Sequence, residues 1–240
     1  MVFRFREVDI FYDFDDKQTE IVDVFLHGWG CNSNTLSFCK NYTSNSTLFV
    51  DFPPFGKSGD NIVGWSVFTY ANMMIALCAH LHINCFNLIG HSFGGRVALI
   101  VASICKDKTN KLLLVDSAGL KPRRSLKYKI NRLRYRLRKK MGKDVTRFAS
   151  ADYKAMPIKL KPVFCSIVNT HLEELLSLIR CKTLIVYGSE DKQTPLYMAK
   201  RLNRKIQNSK LVVLQGAGHF CFVDRQVEFV SLVKDFLKEG

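Results

Sequence analysis

A chain of 240 residues with 47% hydrophobic residues is long enough to bury the core of one α/β domain and too apolar for a disordered segment. Its formal net charge of +15 speaks to acidic partners or surfaces and says nothing about fold. No run of about 18 apolar residues occurs, and no basic head precedes an apolar signal core, so the chain reads as a soluble cytoplasmic protein with no transmembrane segment.

Phe3 and Phe5, then Val8, Ile10 and Tyr12, alternate with period two and predict an antiparallel strand pair at a sheet edge. Ile21 to Leu26 is a buried-strand run that ends in His27-Gly28-Trp29-Gly30, a turn suited to presenting a backbone N–H. Thr47 to Asp51 is the next strand. Ser66 caps a helix whose apolar positions Val67, Ala71, Met74, Ile75, Cys78 and Leu81 recur at helical spacing. Strand residues 86–89 then lead into Gly90-His91-Ser92-Phe93-Gly94-Gly95, followed by a helix from Arg96. A serine in G-x-S-x-G between a strand and a helix is a nucleophile elbow, which makes Ser92 a candidate nucleophile.

A strand ends near Asp116, and residues from about 120 to 170 break the strand–helix alternation. Within that stretch, residues 121–144 hold twelve Lys or Arg against Asp144 alone, which is +11 of the +15. Leu126, Ile130, Leu133, Leu137 and Met141 fall on one helical stripe, so the segment reads as a basic amphipathic helix with its apolar side inward. A solvated face, an acidic substrate or acyl carrier, an anionic membrane surface and weak nucleic-acid contact are all compatible with such charge.

Thr183 to Tyr187 is a strand followed by Gly188-Ser189-Glu190-Asp191, and Leu211 to Leu214 is a strand followed by Gly216-Ala217-Gly218-His219. An acid and a histidine thus each lie just past a strand end. Thr194 reads as a cap with Pro195 at the first position of a helix running through Ile206, and Asp224 precedes a final helix with Phe229, Leu232, Val233 and Phe236 inward. The chain order Ser92, Asp191, His219 is that of a serine triad on a strand–helix scaffold, with Glu190 and Asp116 as alternative acids.

The eight cysteines are dispersed, form no C-x-x-C pair and several lie inside apolar runs, which suits a reducing compartment. Asn41-Tyr42-Thr43 and Asn45-Ser46-Thr47 match the N-glycosylation pattern but read as a polar surface loop in a chain with no export signal. No metal-ligand spacing, phosphate loop or dinucleotide fingerprint is present, so neither cofactor nor metal is expected, and no specific nucleic-acid partner.

The ordered pieces HGWG at 27–30, DFPPFGKS at 51–58, GHSFGG at 90–95, LLLVDSAG at 112–119, GSEDKQTP at 188–195 and GAGHF at 216–220 together resemble the α/β-hydrolase superfamily over nearly the whole length. One departure is Pro54, where that superfamily usually has glycine. The resemblance implies a single domain over 1–240: a mostly parallel, doubly wound sheet flanked by helices, with a small helical cap inserted at about 120–170. It implies a serine hydrolase acting on a carboxylic ester, with Ser92, His219 and Asp191 as triad and the backbone N–H groups of Trp29 and Phe93 as oxyanion hole. His27, His91 and Phe220 are expected at the substrate pocket. Serine at the elbow, where epoxide- and halide-processing members have aspartate, leaves acyl transfer to water. Thioester cleavage, C–C bond hydrolysis and perhydrolysis use the same machinery, and a non-catalytic binder is the reading of a different class. The HGWG opening resembles that of carrier-protein ester hydrolases, which implies an anionic acyl carrier as one partner for the basic segment.

Overall fold

The edge alternation at the N-terminus folds as β1 (Val2–Phe5) and β2 (Val8–Asp15), paired antiparallel from Val2 opposite Phe11 to Phe5 opposite Val8. In this computed structural model, which describes residues 1–123, 134–138, 140–142, 153–154 and 156–238, six further strands follow. They are β3 (Ile21–Leu26), β4 (Ser46–Val50), β5 (Cys85–His91), β6 (Thr109–Val115), β7 (Lys182–Gly188) and β8 (Ser209–Leu214). The sheet runs β1-β2-β4-β3-β5-β6-β7-β8; β2 meets β4 antiparallel, and every pairing beyond is parallel.

Parallel strands need crossovers, and the helices that make them cover both faces, which is why the interior strands are apolar on both sides. Val24, Leu88, Leu112 and Leu114 point into a core shared with α1 (Val67–His80), α2 (Phe93–Ile104), α3 (Lys161–Asn169) and α4 (Leu196–Lys205). The alternate residues Phe25, Ile89, Leu113 and Val115 point into a second core. That one is closed by a 3-10 segment over Ser33–Tyr42 and by α5 (Cys221–Asp224) and α6 (Gln226–Lys238). Phe25 and Phe49 stack there at 4.5 Å, and a fully buried ring of this kind contributes roughly 1.5–3 kcal/mol.

Several local signals act as the sequence predicts. Ser66 accepts from the Thr69 N–H while its own N–H donates to Thr69 Oγ1, a reciprocal box that starts α1. Phe229, Val233 and Phe236 of α6 are buried. All eight cysteines are unpaired, and burial pushes the Cys39 and Cys78 thiols up to about 12, as expected of thiols that serve as packing. No described helix is long and apolar enough to cross a membrane.

Other expectations are corrected. Asn45-Ser46-Thr47 is no surface loop: Ser46 and Thr47 are buried in β4, and the Asn45 amide donates to buried Asp23 at 3.1 Å. The Thr43 hydroxyl and the Asn87 amide complete that carboxylate's shell. Helix α4 begins at Leu196, with Pro195 extended before it, because the Thr194 hydroxyl is engaged elsewhere. Asp224 precedes the final helix α6 as expected, but it also closes the short helix α5, which the sequence does not announce, and its carboxylate accepts from the Gly218 N–H at 2.7 Å. Of the expected inward stripe at 121–144, Leu137 and Met141 are exposed, while Leu126, Ile130 and Leu133 lie outside the described residues.

Candidate active site

Ser92 follows the last residue of β5 and precedes α2, with φ 49° and ψ −107°. That backbone conformation is costly for a residue with a side chain, roughly 1–3 kcal/mol, and persists only where its surroundings hold it. Here the Ser92 N–H donates to Val115 O at 3.0 Å, and the Ser92 carbonyl accepts from Ala118 N at 3.1 Å and Arg96 N at 3.3 Å. Gly90 and Gly94 make the turn sterically feasible. A Cβ on Gly90 would lie 2.7 Å from the Gly94 carbonyl oxygen, and one on Gly94 would overlap the Leu26 carbonyl. The serine hydroxyl is thereby lifted above the carboxyl ends of the strands, where ligands bind in open α/β sheets.

The loops after β7 and β8 bring two more side chains to it. His219 Nε2 is 2.9 Å from Ser92 Oγ, and His219 Nδ1 is 2.8 Å from Asp191 Oδ2. The Asp191 side chain is enclosed, and its Oδ1 accepts from the N–H groups of Gln193 and Thr194 at 2.7 and 2.9 Å. Thr194 Oγ1 lies 2.5 Å from Asp191 Oδ2. Burial alone would raise the Asp191 carboxyl, but hydrogen bonds from His219 and Thr194 outweigh it and hold the group ionised below its ordinary range.

The alternative acids occupy other positions. Glu190 is exposed, its N–H donating to Ala217 O. Asp116 is fully buried and accepts from the N–H groups of Gly188 and Cys221, tying together the loops that carry Asp191 and His219. Desolvation, opposed by those hydrogen bonds, raises its carboxyl to about 6.

Ser92 and His219 open into a cavity of about 620 Å³ whose wall includes Trp29, Phe93, His91 and Phe220. Among the described residues, no acceptor takes the backbone N–H of Trp29 or Phe93; the latter is one of the unpaired donors at the start of α2. The Trp29 ring meets Phe55 and Phe93 edge-on at 4.9 and 5.4 Å, fixing the turn that carries its N–H. Across the cavity stand Met156, Leu160, Phe164 and Ile167, the first two just before α3 and the last two on it.

His27 does not line this cavity. It is buried beneath the HGWG turn, where Nε2 accepts the Phe52 N–H at 2.8 Å and Nδ1 donates to Gly28 O at 2.7 Å. His91 does line the cavity, with Nε2 donating to the His219 carbonyl at 2.9 Å and Nδ1 enclosed without a partner among the described residues. Burial pushes His27 down to about 4 and His91, with a further push from His219, down to about 3.

These shifts have a thermodynamic consequence whose sign is fixed. Unfolding releases both rings to water, where they protonate near pH 6.5, so below that pH the unfolded chain binds two protons that the folded chain refuses. Asp116 works the other way, since its folded form takes a proton near pH 6 that the unfolded carboxyl takes only near pH 4. The net uptake on unfolding is positive, and we expect the folded state to lose about 2 kcal/mol between pH 7.5 and 5. Urea denaturation at the two pH values measures it, and equal or greater stability at pH 5 would refute the assignment.

Sequence reasoning missed two of the groups that shape this site. Thr194 has the sequence setting of a helix cap, although the Asp191-x-x-Thr194 spacing is itself that of a local side-chain-to-backbone turn. Asp224 carried no signal for its contact with Gly218, because that contact depends on how the His219 loop folds back.

Comparison with known proteins settles the family. The sequence profile of the alpha/beta hydrolase family matches residues 24–232. This chain belongs to the alpha/beta hydrolase family. The pimeloyl-[acyl-carrier protein] methyl ester esterase of Serratia marcescens is 25% identical over 89% of this chain and 92% of its own length. A hydrolase from Pseudomonas aeruginosa PA01 superposes with a TM-score of 0.80 at 17% identity, covering 99% of this chain and 98% of its own. An esterase from Exiguobacterium antarcticum gives 0.75 at 21% identity, covering 97% and 96%. At such identities the structural likeness speaks for the shared alpha/beta hydrolase fold.

Proposed function

We propose that this alpha/beta hydrolase cleaves carboxylic esters through an acyl-enzyme on Ser92. The observation that carries the reading is the unbroken chain of contacts from Ser92 Oγ to His219 Nε2 at 2.9 Å and from His219 Nδ1 to Asp191 Oδ2 at 2.8 Å. In this reading His219 accepts the serine proton as Oγ attacks the ester carbonyl, while Asp191 keeps Nδ1 protonated and stabilises the imidazolium. The N–H groups of Trp29 and Phe93 receive the charge that develops on the carbonyl oxygen. The intermediate collapses, His219 returns the proton to the departing alkoxide, and a water repeats the sequence to free the acid and restore Ser92. Residues 120–170 act as a cap on a single-domain scaffold, with Leu160, Phe164 and Ile167 forming the roof over the acyl group.

Ester rather than thioester or C–C chemistry is favoured by the pimeloyl-[acyl-carrier protein] methyl ester esterases among the sequence relatives. An acidic carrier docking on the basic segment 121–144 is the macromolecular partner this charge suits. A fluorophosphonate probe tests the reading directly. We expect stoichiometric labelling of the peptide that contains Ser92, and hydrolysis of p-nitrophenyl acetate that the labelling abolishes. A folded protein that neither labels nor releases p-nitrophenol would be a binder instead.

A further inference from the structure

Arg96 is a cation in the wall of the cavity that holds Ser92 and His219. It lies on the first turn of α2, four residues after Ser92, and only 7% of it is exposed. The cavity that Ser92 and His219 share is also lined by Arg96, beside Leu120, Leu160, Ile167 and Met198. A buried guanidinium ordinarily faces a carboxylate, because its five N–H donors and its charge are costly to strip of water. Among the described residues no carboxylate forms an ion pair with it. Nη1 donates to the carbonyls of Ile167 and Thr170 at 3.0 and 2.6 Å, and no hydrogen bond to a described residue satisfies Nε or Nη2. Glu173, a carboxylate whose charge acts on it, is held by the Lys121 N–H and by Arg201. Burial lowers the guanidinium to about 10, so the charge persists at neutral pH.

We infer that Arg96 is a specificity residue that receives a carboxylate on the acyl portion of the substrate, so that half-esters of short dicarboxylic acids are preferred over uncharged esters of equal length. Three features of the position carry this. Helical side chains lean toward the helix N-terminus, so Arg96 reaches back along α2 toward the elbow. Its attachment to the end of α3 fixes the guanidinium plane, which leaves the remaining donors oriented before any ligand arrives. Leu120, Leu160, Ile167 and Met198 share the wall with it, so a carboxylate reaching Arg96 exchanges water for a charge-assisted hydrogen bond in a partly desolvated site.

The inference rests on the esterase reading, and the test separates the two. Monoethyl glutarate and ethyl pentanoate present acyl chains of equal length with and without a terminal carboxylate. We expect kcat/KM to favour monoethyl glutarate, and Arg96→Gln to lower that value about ten- to a hundredfold while changing the ethyl pentanoate value less than about threefold. Arg96→Lys should recover part of the loss. Equal losses on both esters would make Arg96 a strap for α3 and overturn the inference, as would a wild-type preference for the uncharged ester. Calorimetric binding of glutarate to wild type and to Arg96→Gln gives a readout independent of turnover. Glutarate binding that depends on Arg96 upholds the subsite even if neither ester is cleaved, whereas cleavage of both without any Arg96-dependent glutarate binding sinks the subsite and leaves the esterase.

Discussion

Replacing Ser92 with alanine is expected to lower kcat for p-nitrophenyl acetate about a millionfold, the loss seen when a serine hydrolase loses its nucleophile. The size of the effect follows from covalent chemistry, since without Oγ the only route is direct attack by water, assisted by whatever the oxyanion donors and the cavity still supply. Fold stability is expected to change little. The alanine inherits the same backbone, φ 49°, and the same three backbone hydrogen bonds, and it gives up only the hydroxyl bond to His219. A net loss of about 1 kcal/mol would move Tm by about 2–4 °C in a chain of this size. Steady-state rates with thermal melts of the same preparations check both halves. A residual rate within tenfold of wild type would require another nucleophile, and the proposed mechanism would fall.

Much of this fold is legible along the chain because its signals are local. The apolar runs of β3, β5, β6 and β7 are buried on both faces and bounded by glycine or polar residues, so periodicity and length suffice to find them. The G-x-S-x-G turn is local too, since the reason for Gly90 is the Gly94 carbonyl four residues away. What resists such reading is contact between distant segments. His27 looks like a pocket residue beside the HGWG turn, yet its ring faces Phe52 N–H, 25 residues on, and supports the turn from below. Arg96 resembles any polar residue on an amphipathic helix until α3 returns 71 and 74 residues later to take its Nη1. Thr194 looks like a helix cap because its hydroxyl has the right spacing, but burial next to Asp191 and the Asp116 carbonyl offers it stronger partners. In each case the pattern gives a polar residue an ordinary local role, and only tertiary folding decides that it is buried and what it binds.

Asp191→Asn is expected to lower kcat about ten-thousandfold with the site geometry largely preserved, which is the effect of the equivalent change in serine proteases. The argument turns on protons rather than on shape. Asp191 Oδ2, an acceptor only, 2.8 Å from His219 Nδ1, requires the hydrogen on Nδ1 and so leaves Nε2 free to take the Ser92 proton. An asparagine can present its NH2 there, and the imidazole then adopts the opposite tautomer, with a hydrogen on Nε2 aimed at Oγ and no base to receive the serine proton. The Gln193 and Thr194 N–H groups that hold Oδ1 keep the amide oxygen on their side, which enforces that choice. Two companion variants separate the acids. Glu190→Gln touches an exposed group, and Asp116→Asn alters a carboxylate that holds backbone N–H groups of Gly188 and Cys221 but makes no hydrogen bond to His219. Both are expected to retain activity within about tenfold at saturating substrate, a small change beside that for the tautomer-setting acid. If Asp116→Asn rather than Asp191→Asn produced the ten-thousandfold loss, the acid would have to be reassigned to the end of β6, and the histidine loop would have to swing toward it during turnover.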